Sequence, residues 1–92
     1  MEKKKYIKPF SIRMIDNDKT FHFHGFDRRL NYPNFYYGYA SLDTNFYWRT
    51  YKHKNNAINQ AMKIKRYYDI RRKENYKIVV YDNSNEKIIA EI

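Results

Sequence analysis

The chain is an α+β protein by its pattern, an antiparallel sheet with one long helix packed on one face. Three observations predict this. Stretches rich in Tyr, Phe, Ile and Val alternate with period 2 on both sides of the middle of the sequence. A single apolar stripe with the 3.6-residue period lies between them, over residues 56–72. Asn- and Asp-rich clusters separate the stretches, as turns require. The expected order over residues 1–92, taken as a single domain, is β-β-β-β-α-β-β.

Residues 6–15 read as the first strand, with Phe10, Ile12 and Met14 on one face and Arg13 on the other. Pro9 has no N–H to donate, so it either puts this strand at a sheet edge or delays its start. The turn Asp16-Asn17-Asp18-Lys19 leads into a second strand, Thr20–Phe26, and completes a hairpin. In that strand Phe21 and Phe23 face one way and His22 and His24 the other. Residues 27–34 read as a loop on Asn31, Pro33 and Asn34. Phe35–Ala40 and Phe46–Tyr51 are the next strands, joined near Leu42–Asn45, with a bulge or close backbone approach at Gly38.

For the helix, Asn55 or Asn56 caps the start, and Ala57, Ala61, Ile64 and Tyr68 recur at i, i+4, i+7 and i+11. Ile58 and Met62 widen the stripe, so Ile58, Ala61 and Met62 are expected to face the sheet, over Ile78 and Val80. Asn59, Lys63 and Arg66 point away, and Arg71, Arg72 and Lys73 crowd the C-terminus, where the helix dipole favours cations. Tyr76–Asp82 and Lys87–Ile92 form a second hairpin, with Ile88, Ala90 and Ile92 sharing a face.

A chain of 92 residues has a thin core, and with no cysteine neither a disulfide nor a thiolate zinc site braces it. Aromatic side chains, 20% of the residues, must supply the buried area instead. The N-terminus has no apolar segment of the signal-peptide kind, and no run approaches the roughly 20 apolar residues that span a bilayer. A cytoplasmic protein without membrane contact is the expectation. Abundant Lys, Asn, Ile, Tyr and Phe suggest an AT-rich genome.

Charge carries the functional signal. From Arg49 to Lys73 nine lysines and arginines face one acid, Asp69, a balance of +8 out of +9 for the whole chain. The bland reading is a solvated helix surface whose last cations satisfy the dipole. That reading does not account for Arg49, Lys52, Lys54, Lys63 and Arg66, because surface helices usually intersperse Glu four residues before Lys and here it is missing. Cations interleaved with Tyr51, Tyr67 and Tyr68 suit a polyanion with flat faces, a nucleic acid. The expected phosphate contacts are Arg49, Lys52, Lys54, Lys63, Arg66, Arg71 and Arg72. Tyr37, Tyr39, Tyr47 and Trp48 are candidate stacking or interface residues, since one helix covers only one sheet face. Most aromatics of so small a sheet serve the core all the same.

Little in the chain points to catalysis or to a cofactor. His22 and His24 form an H-x-H on a strand, which His53 would extend to three, but two exposed strand histidines are ordinary and no metal is expected. Asp16 and Asp18 are turn formers, and neither a Gly-rich phosphate loop nor a Ser/His/Asp pattern is present. Tyr36-Tyr37-Gly38-Tyr39 resembles one motif of the GIY-YIG nucleases, without the companion Gly-Ile-Tyr strand. A metal-free ribonuclease using Tyr, Arg and Lys stays open, but a non-enzymatic binding protein is the preferred reading.

Strands followed by Thr50–Ala61 resemble the AP2-type and integrase arm-binding domains over residues 35–72, through strand order and Ala57/Ala61. The resemblance implies a sheet that reads DNA and assigns no residue here. In size and composition the chain also resembles small accessory proteins of phages and mobile elements of low-GC bacteria, the anti-CRISPR proteins among them. That implies an alternative function, a counter-defence inhibitor or regulator that binds a host nucleoprotein enzyme by protein contact. The expected partner is therefore nucleic acid or a nucleic-acid-handling complex, and a homodimer stays open.

Overall fold

The computed structural model describes residues 8–29, 31–37 and 49–92. The elements run β1 (Phe10–Asp16), β2 (Lys19–Phe26), β3 (Pro33–Tyr37), β4 (Thr50–Tyr51), α1 (Lys54–Ile70), β5 (Tyr76–Asp82) and β6 (Lys87–Glu91). They form the expected α+β architecture, an antiparallel sheet ordered β3-β2-β1-β5-β6 with α1 on one face. The turn expected at Leu42–Asn45, the bulge at Gly38 and half of each of the two strands around them lie outside the described residues, as do Tyr39, Tyr47 and Trp48.

β1 is the central strand, not an edge. It begins at Phe10, directly after Pro9, so the missing N–H falls outside the ladder, while the Pro9 carbonyl accepts from Asn83 N–H. One edge of β1 pairs with β5 along its whole length. The other is divided: Arg13–Asp16 pair with β2, and Phe10–Ser11 pair with β4. β4 thus fills the space that opens where β2 turns away from β1. The β1–β2 turn places Asn17 at φ 61°, a left-handed conformation that Asn tolerates.

Two bulges break the expected alternation. In β2, Phe23 pairs with Phe35 and Gly25 with Asn34, so His24 is an extra residue. The slip brings Phe26 onto the same face as Phe23, with the two rings 5.5 Å apart. In β6 the slip lies between the Val80–Ala90 and Tyr81–Ile88 pairs. Ile89, Ala90 and Ile92 therefore pack on the core, and Ile88, expected on the face of Ala90 and Ile92, is exposed.

The core under α1 consists of Ile12, Met14, Phe23, Ile78 and Val80 from the sheet and Ala57, Ala61 and Ile64 from the helix. Each fully buried Ile or Val contributes roughly 1.5–3 kcal/mol. Phe35, Tyr68 and Tyr76 close one end of this layer, with Tyr68 6.4 Å from Phe35 and 5.6 Å from Tyr76. The helix is rotated from the expected setting. Ile58 is half-buried and Met62 is 48% exposed, so the contact line runs through Ala57, Ala61 and Ile64 and leaves Met62 outside.

On the opposite face of the sheet Arg13 lies between the positions of His22 and Val79, and its guanidinium stacks 3.5 Å over the Tyr81 ring. Burial lowers the pKa of Arg13, opposed by Tyr81. His22 is buried at 6% exposure, and burial, reinforced by the charge of Arg13, pushes its pKa down to about 4. The H-x-H pair is therefore split, with His22 inside and His24 exposed, while His53 sits at the helix N-cap. Among the described residues no group of three or more His, Cys, Asp or Glu could hold a metal.

Two stability predictions follow from this packing. Ala61→Asp buries an unpaired charge against Ile12 and Val80 and should cost about 3–5 kcal/mol, whereas Met62→Asp on the exposed side should cost under about 1 kcal/mol. Chemical denaturation of both variants checks the helix rotation. For His22, the folded pKa lies below the unfolded value of 6.5. Below pH 6.5 the unfolded chain takes up a proton that the folded one refuses, so stability falls as pH drops from 6.5 toward 4. Denaturation midpoints across that window should decline in the wild type and stay nearly flat in His22→Gln.

Candidate nucleic-acid interface

With α1 seated on its alanines, a shallow, open groove made of two depressions lies along its flank toward Tyr51 and Phe26. One half, about 460 Å³, is lined by Tyr51, Asn56, Asn59, Gln60 and Lys63. The other, about 350 Å³, is lined by Phe26, Asn31, Lys63, Arg66, Tyr67, Ile70 and Arg71. Lys63 borders both.

Each contributor is placed by an identifiable local cause. Phe26 reaches the groove because the β2 bulge turns it to the helix side, and the Lys63 ammonium lies 4.6 Å from its ring. The turn after β2 closes on itself: Asp27 N–H donates to the Tyr32 carbonyl, Asn31 N–H to the Asp27 carbonyl, and Arg29 N–H to the Asp27 carboxylate. That closure holds Asn31 against the helix. Tyr51 enters through β4, beside Phe10 of β1, and burial pushes its phenol up to about 12 against the opposing effect of Arg49. The Arg71 guanidinium stacks 3.7 Å over the Tyr67 ring and donates to the Tyr67 carbonyl at 3.1 Å.

Arg49 is tied to the same region through Gly25. Its backbone N–H donates to the Phe23 carbonyl at 2.9 Å. Its guanidinium rests on Gly25, where an added Cβ would stand 3.0 Å from Nη2. Gly25 also has φ +140°, a conformation that side-chain-bearing residues rarely adopt. This close approach lies in β2 and ties Arg49 to the bulge.

Asp16 and Asp69 are paired away from this surface. Lys65 pairs with Asp69 at 3.3 Å and Lys73 with Asp16 at 2.8 Å, and neither cation lines the groove. Asp69 is held on the far flank by the Tyr76 hydroxyl at 2.8 Å as well as by Lys65, and these bonds lower its pKa. Tyr76 is raised to about 12, by burial first and then by this bond. The Asp82 carboxylate is likewise occupied in its own turn by Ser84 N–H and by both nitrogens of Asn85.

Of the expected phosphate contacts, the groove brings Lys63, Arg66 and Arg71 together, whereas Arg49, resting on Gly25, and the exposed Lys52 line neither half. Lys54 and Arg72 are exposed but line neither half. Arg72 has a backbone role instead. The helix starts at Lys54, with Asn55 and Asn56 in its first turn, and ends at Ile70, short of the expected cations. Arg72 then takes φ 58°, its N–H donates to the Asp69 carbonyl, and Lys73 N–H donates to the Tyr68 carbonyl. This is a Schellman end with arginine where glycine is usual. The Lys73 side chain returns to Asp16 and does not serve the dipole.

Tyr37 is 60% exposed, with its ring 4.9 Å from Phe21, at the opposite end of the β2–β3 pair from Phe26. It is no part of the groove. Residues the sequence reading passed over are Phe26, Asn31, Asn56, Gln60 and the exposed Arg28 and Arg29 of the turn that carries Asn31. The Arg28-Arg29 pair was visible as a second, shorter basic cluster outside the dense segment. No protein-family model, curated protein or solved structure matches the chain. Among the described residues no helix is long and apolar enough to cross a membrane.

Arg72→Gly relieves a left-handed arginine and should stabilise the fold by up to about 1 kcal/mol. A higher thermal midpoint with nucleic-acid affinity nearly unchanged would fit a backbone role; a large loss of affinity would return Arg72 to the interface.

Proposed function

We propose that the chain is a non-enzymatic nucleic-acid-binding protein that grips the phosphate backbone along the β2–β3 flank of α1. The observation that carries this reading is the meeting of Lys63, Arg66 and Arg71 in one surface depression with Phe26 and Tyr67, while Asp16 and Asp69 are paired with other lysines. Cations left without carboxylates hold a strong positive potential, and a concave wall concentrates it. Phosphates would displace only counterions and water there. Aromatic rings beside the cations favour a nucleic acid over a simple acidic protein, because bases stack and carboxylate side chains do not.

Fluorescence anisotropy with labelled RNA and DNA, over a range of salt, tests the reading. Each phosphate contact removed should lower the slope of log K against log salt by about 0.7–0.9. Lys63→Glu with Arg66→Glu should abolish binding at moderate salt and leave the circular dichroism spectrum intact, since both side chains are exposed. Wild-type protein with no affinity for RNA or DNA at low salt would refute the reading and favour the alternative, protein contact with a nucleic-acid-handling enzyme.

A further inference from the structure

The depression toward the C-terminal end of α1 is walled by two different parts of the chain. The helix supplies Lys63, Arg66 and Arg71. The end of β2 and the turn after it supply Phe26 and Asn31. That turn also carries the second basic cluster of the chain, Arg28 and Arg29, both exposed and neither used by the interface described so far.

The turn holds its shape through its backbone and Asp27. Asp27 N–H donates to the Tyr32 carbonyl at 2.8 Å, and Asn31 N–H donates to the Asp27 carbonyl at 2.7 Å, so the loop is closed across its neck. The Asp27 carboxylate accepts Arg29 N–H at 2.9 Å, an Asx turn. Asn31, at φ 57°, turns the chain back toward β3. None of these bonds uses an arginine side chain, and Arg28 and Arg29 sit at the tip. Arg29 is two residues from Asn31, which limits the separation of their Cα atoms to about 7 Å. An extended arginine side chain spans that distance.

We infer, resting on the nucleic-acid reading above, that Arg28 and Arg29 are the second arm of a phosphate clamp whose first arm is Lys63, Arg66 and Arg71. The bound backbone then crosses from α1 onto the β2–β3 turn. Guanidinium groups suit this task because their planar fork donates two parallel hydrogen bonds to a phosphate. A turn already closed by its own backbone loses little further freedom on binding, which favours affinity. The bland alternative is a pair of solvated tip arginines that raise net charge and nothing more. It is separated from a clamp by position, since only a clamp depends on where the two charges lie.

The test uses the full chain with labelled RNA and DNA oligonucleotides and follows anisotropy over a range of salt. Arg28→Gln with Arg29→Gln removes two contacts and should lower the slope of log K against log salt by about 1.4–1.8. The single substitutions should each lower it by about 0.7–0.9, the same reading from less altered chains. Lys77→Gln with Lys87→Gln removes equal charge from exposed positions on β5 and β6, on the side of β1 away from β2 and β3, and should leave the slope unchanged. Arg28→Lys with Arg29→Lys keeps the charge and should keep the slope. Circular dichroism verifies that each variant folds. A wild-type slope in the folded glutamine variants of the turn would overturn this inference and leave the broader reading standing. So would an equal fall in the Lys77 and Lys87 pair, the signature of net charge alone. Absence of wild-type binding to every oligonucleotide at low salt would overturn both.

Discussion

Ala57 and Ala61 lie flat against the sheet, fully buried over Ile12, Ile78 and Val80, and this contact sets everything else α1 does. Two alanines one turn apart let the helix approach closely, so the short layer below can fill without large residues between. A bulkier side chain at either position would lift the axis and leave a gap around Ile64, and dense cores tolerate neither strain nor voids cheaply. The same contact fixes rotation. With the alanine line down, Met62 is turned out, Lys63 and Arg66 stand away from the core, and Gln60 and Tyr67 become the wall of a groove.

A second constraint acts on charge. The chain has few acids, and those near α1 are committed to structural work. Asp16 anchors Lys73 and so ties the helix–β5 turn to the end of β1, where Asn17 N–H also donates to the Asn75 carbonyl. Asp69 joins Lys65 to the Tyr76 hydroxyl. Each engagement spends a carboxylate on the side of the helix away from the groove. The positive charge there results from where the acids are held as much as from where the cations lie.

Strand irregularity links the sheet to the groove. Without the β2 bulge, alternation would send Phe26 to the face of His22 and away from the helix. The extra residue at His24 reverses it, and Gly25 in the same step admits the Arg49 guanidinium. One local slip therefore turns an aromatic ring toward the helix and leaves room for Arg49 at Gly25. Bulges commonly re-aim side chains in this way next to binding sites.

Periodicity and turn chemistry, which are local properties, made the hairpins, the single helix, the apolar line through Ala57, Ala61 and Ile64 and the dense cationic segment legible in the sequence. The helix limits were within two residues, and β1 was misread as an edge only in one of two alternatives, because Pro9 constrains the start of a strand and says nothing of its neighbours. Tertiary structure decided what local pattern does not encode. It set the rotation of α1, which depends on how closely two alanines approach a particular sheet. It placed the two bulges, which appear only when strands are paired, and so turned Phe26 inward and Ile88 outward. It separated Lys63, Arg66 and Arg71 from Arg72 and Lys73, which share their sequence run but serve the helix end and Asp16. Charge density is a property of the chain; a groove is a relation between the helix and a strand brought together by the fold.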